Sequence, residues 1–162
     1  MILDVGCGPG HLAHHLSTLS ADVLGIDLLP EFIHHATATH PEGRYLRGSA
    51  EQLPIADQCA AGILAWFSLI HLTPDDLDPA LAELGRVVAT GGPLVIGCFD
   101  ADELGPFDHA VATAYRWPAG ELSARLQRAG FEEVERIQRP GVDRAGARPH
   151  AAIAAIRARP RG

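Results

Sequence analysis

The stretch Ile2-Leu-Asp-Val-Gly-Cys-Gly-Pro-Gly10 decides the fold of this chain, together with the apolar run 23–26 and Asp27 directly after it. An apolar strand ends in a glycine turn, a helix begins near His11, and the second strand ends in a carboxylate. Glycines let a ligand approach the backbone without a Cβ atom in the way, and a helix N-terminus favours an anionic group. A carboxylate at the position of Asp27 can accept hydrogen bonds from both hydroxyls of a ribose. The stretch therefore predicts a nucleotide-binding unit.

The rest of the chain alternates between strand-like and helix-like patterns, which favours a mostly parallel sheet with helices on both faces. The first helix is predicted to turn Leu12, Leu16 and Leu19 inward, and a helix from Thr73 is predicted to bury apolar residues at helical spacing. Residues 100–117 give no clear pattern. The remaining predicted strands are Tyr45–Arg47, the apolar run 60–69, Leu94–Ile96, Phe131–Ile137 and His150–Arg157, and the remaining helices start at Pro30 and cover Ala119–Ala129.

Bulk composition indicates one globular domain of 162 residues. The formal net charge of −7 and the absence of lysine argue against binding to nucleic acid or to an anionic membrane surface. No apolar run reaches the length of a membrane span. The cysteines Cys7, Cys59 and Cys98 are widely spaced, which is typical of free thiols in a reducing compartment. We therefore expect a cytoplasmic protein; its oligomeric state is not encoded in any pattern that we can read.

The glycine spacing separates two kinds of nucleotide site. A dinucleotide fingerprint needs a third glycine at the position of His11, whereas this chain has G-x-G-x-G with glycines 6, 8 and 10. The segment resembles motif I of the class I S-adenosylmethionine-dependent methyltransferases, written D-V-G-C-G-x-G. The likeness continues through residues 47–54, 64–72 and 84–94, and covers nearly the whole chain.

This resemblance implies an α/β, Rossmann-like doubly wound sheet in the order 3-2-1-4-5-7-6, with an antiparallel last strand. It implies a single domain over residues 1–162 that lacks the helices with which family members usually begin. It also implies S-adenosyl-L-methionine as the cofactor and a small-molecule methyl acceptor as the substrate. The residues expected to hold the cofactor are Asp4, Gly6, Gly8, Gly10, Asp27, Leu28, Ser49, Ala50 and Trp66.

Within this set, Ser49 stands where the family has an aspartate that contacts the adenine amino group. Two interpretations are open for the nearby Glu51, which either substitutes for that carboxylate or points to water. His71 is the candidate general base nearest the expected methyl group, because a histidine titrates in the required range. Packing under the following helix is the alternative for His71.

The acceptor pocket is expected near Tyr115, Arg116 and Trp117, with Arg116 binding an acidic group; a core aromatic pair beside a surface arginine is the alternative. The adjacent histidines 14–15 and 34–35 have no other ligand at a typical spacing, so the sequence predicts no metal site. Two other functions compete with methyl transfer. One is an NAD-binding oxidoreductase, and the other is a non-catalytic cofactor-binding remnant.

Overall fold

The computed structural model describes residues 1–110, 112–141 and 148–159. It contains nine strands and four α-helices in this part of the chain. The strands are β1 (Ile2–Val5), β2 (Val23–Asp27), β3 (Tyr45–Arg47), β4 (Gly62–Trp66), β5 (Pro93–Asp100), β6 (Gly105–Phe107), β7 (Ala114–Trp117), β8 (Phe131–Arg139) and β9 (His150–Arg157). The helices are α1 (His11–Thr18), α2 (Pro30–Thr39), α3 (Pro74–Val87) and α4 (Ala119–Arg128), and a 3-10 helix covers Leu69–His71.

The five strands β3-β2-β1-β4-β5 are parallel, and β9 pairs antiparallel with β5 and with β8. This arrangement confirms the predicted α/β class, and β8 and β9 take the places of the predicted sixth and seventh strands. The predicted order differs from the structure in one respect, because β6 and β7 form an additional hairpin within residues 100–117. Strand β2 is buried at every position, as a strand covered on both faces must be.

The β6–β7 hairpin extends the sheet beyond the carboxyl end of β4. Strand β7 pairs in parallel with Phe99 and Asp100 of β5. The opposite edge of β5 is already occupied there, since Phe99 faces His150 of β9 and Asp100 N–H donates to the Pro149 carbonyl. The hairpin therefore lies on the β4 side of β5, and it stands above the carboxyl edge where β4 stops.

The predicted central strand over residues 60–69 was too long. Strand β4 ends at Trp66, Phe67 takes a positive φ of 51°, and the chain then enters the 3-10 helix. An apolar run does not by itself separate strand from buried turn, and here β7 occupies the edge of β5 along which β4 would have continued.

Helix α3 confirms its predicted pattern, whereas α1 does not. Leu77, Leu81 and Leu84 are buried on the inner face of α3, and Thr73 caps its first turn by accepting from Asp76 N–H. In α1 the buried residue is Ala13, and Leu12 and Leu19 are 37% and 66% exposed. This short helix packs close to the sheet, so a small side chain occupies the inner position.

The core lies between the sheet and its helices. Its largest fully buried side chains include Trp117, Phe131, Leu3, Ile26, Leu81 and Ile153. Within the described part of the chain, no helix has the length and apolar character needed to cross a lipid bilayer.

Candidate active site

A cleft of about 390 Å³ lies at the carboxyl ends of β1, β2 and β4. Strand β1 sits between β2 and β4, so the chain winds outward in both directions from this point of the sheet. Ligands of doubly wound sheets bind at such a reversal of strand order. The cleft is lined by Val5, Gly6, Gly8, Asp27, Leu28, Leu29, Phe32, Gly48, Ser49, Ala50, Glu51, Phe67, Ser68, Leu69, His71, Leu72 and Ala112.

Seven of the predicted site residues line this cleft. They are Gly6, Gly8, Asp27, Leu28, Ser49, Ala50 and His71. Asp4 and Gly10 belong to the same strand and turn but do not line the cleft. Trp66 and the β7 residues Tyr115, Arg116 and Trp117 lie outside the lining.

The glycine turn is shaped by two different requirements. A Cβ atom at Gly6 would lie 2.1 Å from the Cβ of Ser68, so the turn packs too closely on the end of β4 for any side chain. Gly8 meets nothing within 4 Å at the same position, and its missing side chain leaves open space in the cleft. Both residues have positive φ angles, 73° and 52°. The turn thus exposes backbone to a ligand on one side and packs tightly on the other.

Asp27 holds the turn in place. Its Oδ2 accepts from Gly8 N–H and its Oδ1 accepts from Leu29 N–H, both at 2.9 Å. A carboxylate offers about four lone-pair sites, so each oxygen keeps capacity for another donor on the cleft side. The residue therefore has a structural contact that the sequence pattern did not indicate, in addition to its position on the cleft.

Asp4 is a buried carboxylate with an unused acceptor. The residue is 2% exposed, and its Oδ2 has no hydrogen-bond partner among the residues that the structure describes. Burial, with a smaller contribution from the negative charge of Asp27, raises the pKa of Asp4 to about 6, and the backbone N–H of Ala13 partly offsets this rise. A cationic donor reaching Asp4 Oδ2 would relieve this unfavourable state.

A polar pair stands at the other end of the cleft. Ser49 Oγ donates to Glu51 Oε2 at 3.3 Å and accepts from Glu51 N–H at 3.2 Å. Both residues line the cleft beside Ala50 and the 57% exposed side chain of Leu28. Glu51 is exposed and lines the cleft beside Ser49, so both interpretations stay open: its carboxylate substitutes for the aspartate of the family or points to water.

Phe67 lines the cleft, whereas the neighbouring Trp66, which the sequence analysis placed there, does not. Its positive φ turns the chain at the end of β4, and its ring lines the cleft and packs against Phe99 with centroids 5.0 Å apart. The rings of Trp66 and Phe67 both lie beside Gly97 and meet edge to face, with centroids 5.3 Å apart. A non-glycine residue in the left-handed region is strained and is often found at functional sites. Such strain leaves no signal in the residue pattern, so Phe67 could not be identified from sequence.

His71 stands at the rim of the cleft with a defined tautomer. Its Nδ1 lies 3.0 Å from the carbonyl oxygen of Thr113, just before β7. A carbonyl oxygen can only accept, so Nδ1 must carry the proton, and in the neutral ring Nε2 keeps its lone pair. The His109 ring lies 5.3 Å from the His71 ring. The packing alternative placed His71 under α3, whereas its observed contacts are with the loop before β7.

The β7 residues have other surroundings than the predicted acceptor pocket. Trp117 is 1% exposed in the core, and the Arg125 guanidinium lies 4.9 Å from its ring centre. Arg116 stands over the Phe107 ring at 5.5 Å, outside the cleft. Side chains alternate along a strand, and the pairing of β7 with β5 turns Trp117 inward.

Cys7 lies in the glycine turn and is buried. Burial, followed by the charges of Asp4 and Asp27, raises the pKa of Cys7 to about 12. The thiol is therefore protonated at neutral pH and is a poor nucleophile.

Comparison with known proteins identifies the family. The sequence profile described as "Methyltransferase domain" matches residues 2–92, more than half of the chain. The chain is 35% identical over 127 residues to the malonyl-[acyl-carrier protein] O-methyltransferase of Erwinia billingiae. That match covers 78% of this chain and 47% of that protein, so the chain spans about half the length of this relative.

Two solved structures share the fold. The TehB-like SAM-dependent methyltransferase from Corynebacterium glutamicum superposes with a TM-score of 0.73 at 29% identity, covering 98% of this chain and 79% of that one. A SAM-dependent methyltransferase from Methanosarcina mazei has a TM-score of 0.86 at 19% identity, covering 97% of this chain and 92% of that one. With the strand order and the cleft at the glycine turn, these findings establish that the chain belongs to the class I S-adenosylmethionine-dependent methyltransferase family.

Proposed function

We propose that this chain binds S-adenosylmethionine in the cleft and transfers its methyl group to a small-molecule acceptor. The observation that carries the proposal is the pairing of two carboxylates around one glycine turn. Asp27 faces the cleft with remaining acceptor capacity, and Asp4 keeps a buried oxygen without a partner in the described chain. A ligand with hydroxyls at Asp27 and a positive charge on the cleft side of the turn, close to the buried charge of Asp4, fits this pair. S-adenosylmethionine has both and, when bound, supplies an electrophilic methyl group on a sulfonium.

Each polar group of the cleft then has a part. Asp27 would accept from the ribose hydroxyls, and Asp4, buried next to the glycine turn, would orient that turn and through it the amino group of the methionine moiety. The open space at Gly8 would admit the ligand against the backbone. Leu28 would cover a face of the adenine ring, and the Ser49–Glu51 pair would supply polar contacts at its edge. Gly6, Gly10 and Ala50 would shape the surrounding backbone.

His71 is the residue that we assign to proton removal from the acceptor. The Thr113 carbonyl holds the ring in the tautomer with a basic Nε2, which is the form that a general base requires. The ring lines the same cleft as the turn that would hold the cofactor. Since Trp66, Tyr115, Arg116 and Trp117 lie outside the cleft, we leave them out of the proposed site.

We further propose a cytoplasmic enzyme that works as one domain on a metabolite. The cysteines Cys7, Cys59 and Cys98 are free thiols, as expected in a reducing compartment. The net charge of −7 disfavours nucleic acid as the acceptor. The name of the Erwinia billingiae relative describes an O-methyltransferase, so an oxygen nucleophile is the first acceptor type to test. A carboxylate acceptor is already ionised at neutral pH and would need no base, whereas a phenol or other hydroxyl would give its proton to His71.

Calorimetry with S-adenosylhomocysteine tests the cofactor assignment. Hydrogen bonds to a charged group are worth about 1.5–3 kcal/mol each, so Asp27→Ala should weaken binding by roughly tenfold to several hundredfold. The upper part of this range is expected, because the substitution also releases Gly8 N–H from Asp27. Asp102→Ala removes an exposed aspartate away from the cleft and is the matched control. Equal affinity in the Asp27 variant and in the control would reject the site.

Two further measurements separate the competing functions. Binding of NADH without binding of S-adenosylhomocysteine would favour the oxidoreductase, which the family match already disfavours. Transfer of a tritiated methyl group from the cofactor to a panel of small carboxylic acids, phenols and amines tests catalysis. Cofactor binding with no transfer to any of them would favour the non-catalytic remnant.

A further inference from the structure

Strand β8 lies at the border of the sheet. It pairs with β9 on one side, and no strand among the described residues pairs with its other side, which we call the outer edge of β8. Unpaired backbone groups at such an edge can form hydrogen bonds with a further strand. A β-bulge between Glu133 and Glu135 interrupts the first half of β8. The regular segment that a further strand could pair with is therefore residues 135–139.

The hydrogen bonds of β9 show which backbone groups of this segment point outward. The Asp100 N–H donates to the Pro149 carbonyl, so the backbone groups of Pro149 face β5. Backbone groups alternate between the two sides of an antiparallel strand, and Ala152, three positions later, therefore faces β8. Ile137 is the partner of Ale152 in β8, so its N–H and C=O point to β9. The residues on either side of Ile137 direct their N–H and C=O groups to the outer edge.

The side chains of the regular segment are complementary to a second copy of themselves. Glu135 and Arg139 are exposed and share one face of β8 with Ile137, which is 46% exposed. They stand at equal distances on either side of Ile137 and carry opposite charges. Neither of them forms an ion pair with a described residue. A second copy turned by 180° about Ile137 would place each glutamate opposite an arginine and the two isoleucines opposite each other.

The neighbouring registers are less favourable. A two-fold axis at Arg136 would set two arginines opposite each other, and like charges in that position are destabilising. An axis at Gln138 would set Arg136 opposite Pro140, which has no N–H to donate. With the axis at Ile137, the outward groups of Arg136 and Gln138 exchange backbone hydrogen bonds across the edge, about four in all.

We propose that two copies of this chain associate through the outer edge of β8, with antiparallel pairing of residues 135–139 about Ile137. The two sheets would join into one continuous sheet through the same patch of each copy, which is a closed two-fold contact. The paired segment is short, so the dimer belongs to the weak class of interfaces and forms at high protein concentration. The inference is independent of the cofactor assignment, because residues 135–139 do not line the cleft.

Charge reversal combined with sedimentation velocity tests the pairing. Over about a hundredfold range of protein concentration, the unmodified chain should show a reversible monomer–dimer equilibrium. Glu135→Arg sets like charges opposite each other at two symmetric positions, so it should weaken association at least tenfold, and Arg139→Glu should do the same. The double variant restores opposite charges and should return to within about threefold of the unmodified chain.

Glu132→Arg is the matched control, because it makes the same change of charge before the bulge and should leave association unchanged. Far-UV circular dichroism confirms that each variant is folded. A chain that stays monomeric at every concentration would overturn the proposal. The same holds if the double variant associates no better than the single ones, or if Glu132→Arg weakens association as much as Glu135→Arg.

Disulfide trapping tests the register. Cys59→Ser leaves only the buried thiols Cys7 and Cys98 in the background chain. Adding Ile137→Cys places two thiols in a non-hydrogen-bonded pair with Cα atoms about 4.5 Å apart, within the reach of a disulfide, and oxidised glutathione should link the two copies. Val134→Cys is also at an exposed position but would lie six positions from its copy, roughly 20 Å away, and should not be linked. Equal linkage of both variants, or no linkage of Ile137→Cys, would contradict the register.

Discussion

Replacing Asp4 by asparagine should stabilise the free protein while weakening cofactor binding. The carboxylate is 2% exposed and its pKa is raised from 3.8 to about 6. A shift of one pKa unit corresponds to 1.36 kcal/mol, so the charged form costs the folded state about 3 kcal/mol. Asparagine carries no charge and has the same shape. It also replaces the buried oxygen that lacks a partner in the described chain by an amide nitrogen with two N–H donors, so about 3 kcal/mol is the upper limit of the gain.

The pH dependence has a definite sign. The folded state of the unmodified protein binds its proton more tightly than the unfolded state does, so its stability falls as the pH rises from about 3.8 to 6. Asp4→Asn removes this part of the dependence. The variant should therefore be more stable at pH 8, by at most about 3 kcal/mol, equivalent to roughly 6–12 °C in melting temperature, and this difference should vanish below pH 3.8.

Cofactor binding should change in the opposite direction. If the charge of Asp4 next to the turn favours the amino group of the cofactor, its loss removes up to about 1.5–3 kcal/mol, or roughly ten- to a hundredfold in affinity for S-adenosylhomocysteine. Urea unfolding at pH 4, 6 and 8 and calorimetry at pH 8 measure the two effects, with the exposed Asp102→Asn as the control. A variant that is less stable than the parent at pH 8 and binds S-adenosylhomocysteine equally well would refute the reasoning.

Three other substitutions test parts of the structure. Gly6→Ala and Gly91→Ala both place a side chain at positive φ, but only the first puts it 2.1 Å from a neighbouring carbon. Urea unfolding should show that the free energy of unfolding falls by about 1–2 kcal/mol in Gly91→Ala and by more in Gly6→Ala. An equal fall in both variants would contradict the packing of the turn. Trp117→Ala should lose about 3–5 kcal/mol of stability with unchanged affinity for S-adenosylhomocysteine; weaker binding by the folded variant would return Trp117 to the site. Hydrogen bonds from Arg86 lower the pKa of Glu83, so its carboxylate stabilises the fold above pH 4.5 and loses this effect as the pH falls. Glu83→Gln should therefore lower the free energy of unfolding at pH 7, and this loss should shrink towards pH 3. A loss that stays constant with pH would argue against the ion pair.

Several features were predictable because their causes are local. Turn glycines, an apolar strand before them and Asp27 after the next strand are enough to specify the first strand–helix–strand unit. The spacing of Leu77, Leu81 and Leu84 predicted the buried face of α3, which is confirmed. The family resemblance supplied the order of the main strands, and only the β6–β7 hairpin was absent from it.

Other features depended on contacts between distant segments. That Phe67 and not Trp66 lines the cleft follows from where β4 stops, and this depends on β7 occupying the edge of β5. The tautomer of His71 depends on the Thr113 carbonyl, 42 residues away. The hydrogen bond from Gly8 N–H to Asp27 Oδ2 forms only in the folded turn, so the sequence did not predict it.

Residue type and periodicity, read along the chain, were sufficient for the kind of fold and for the turn that would hold the cofactor, because strands, helices and glycine turns form from neighbouring residues. The wall of the cleft, the core position of Trp117 and the place of β8 at the border of the sheet were decided by packing in three dimensions. The physical reason is that other strands and helices set which side a residue faces at the end of a strand and which groups contact it there. These elements are distant in the chain, so they leave no pattern in the residues around that position.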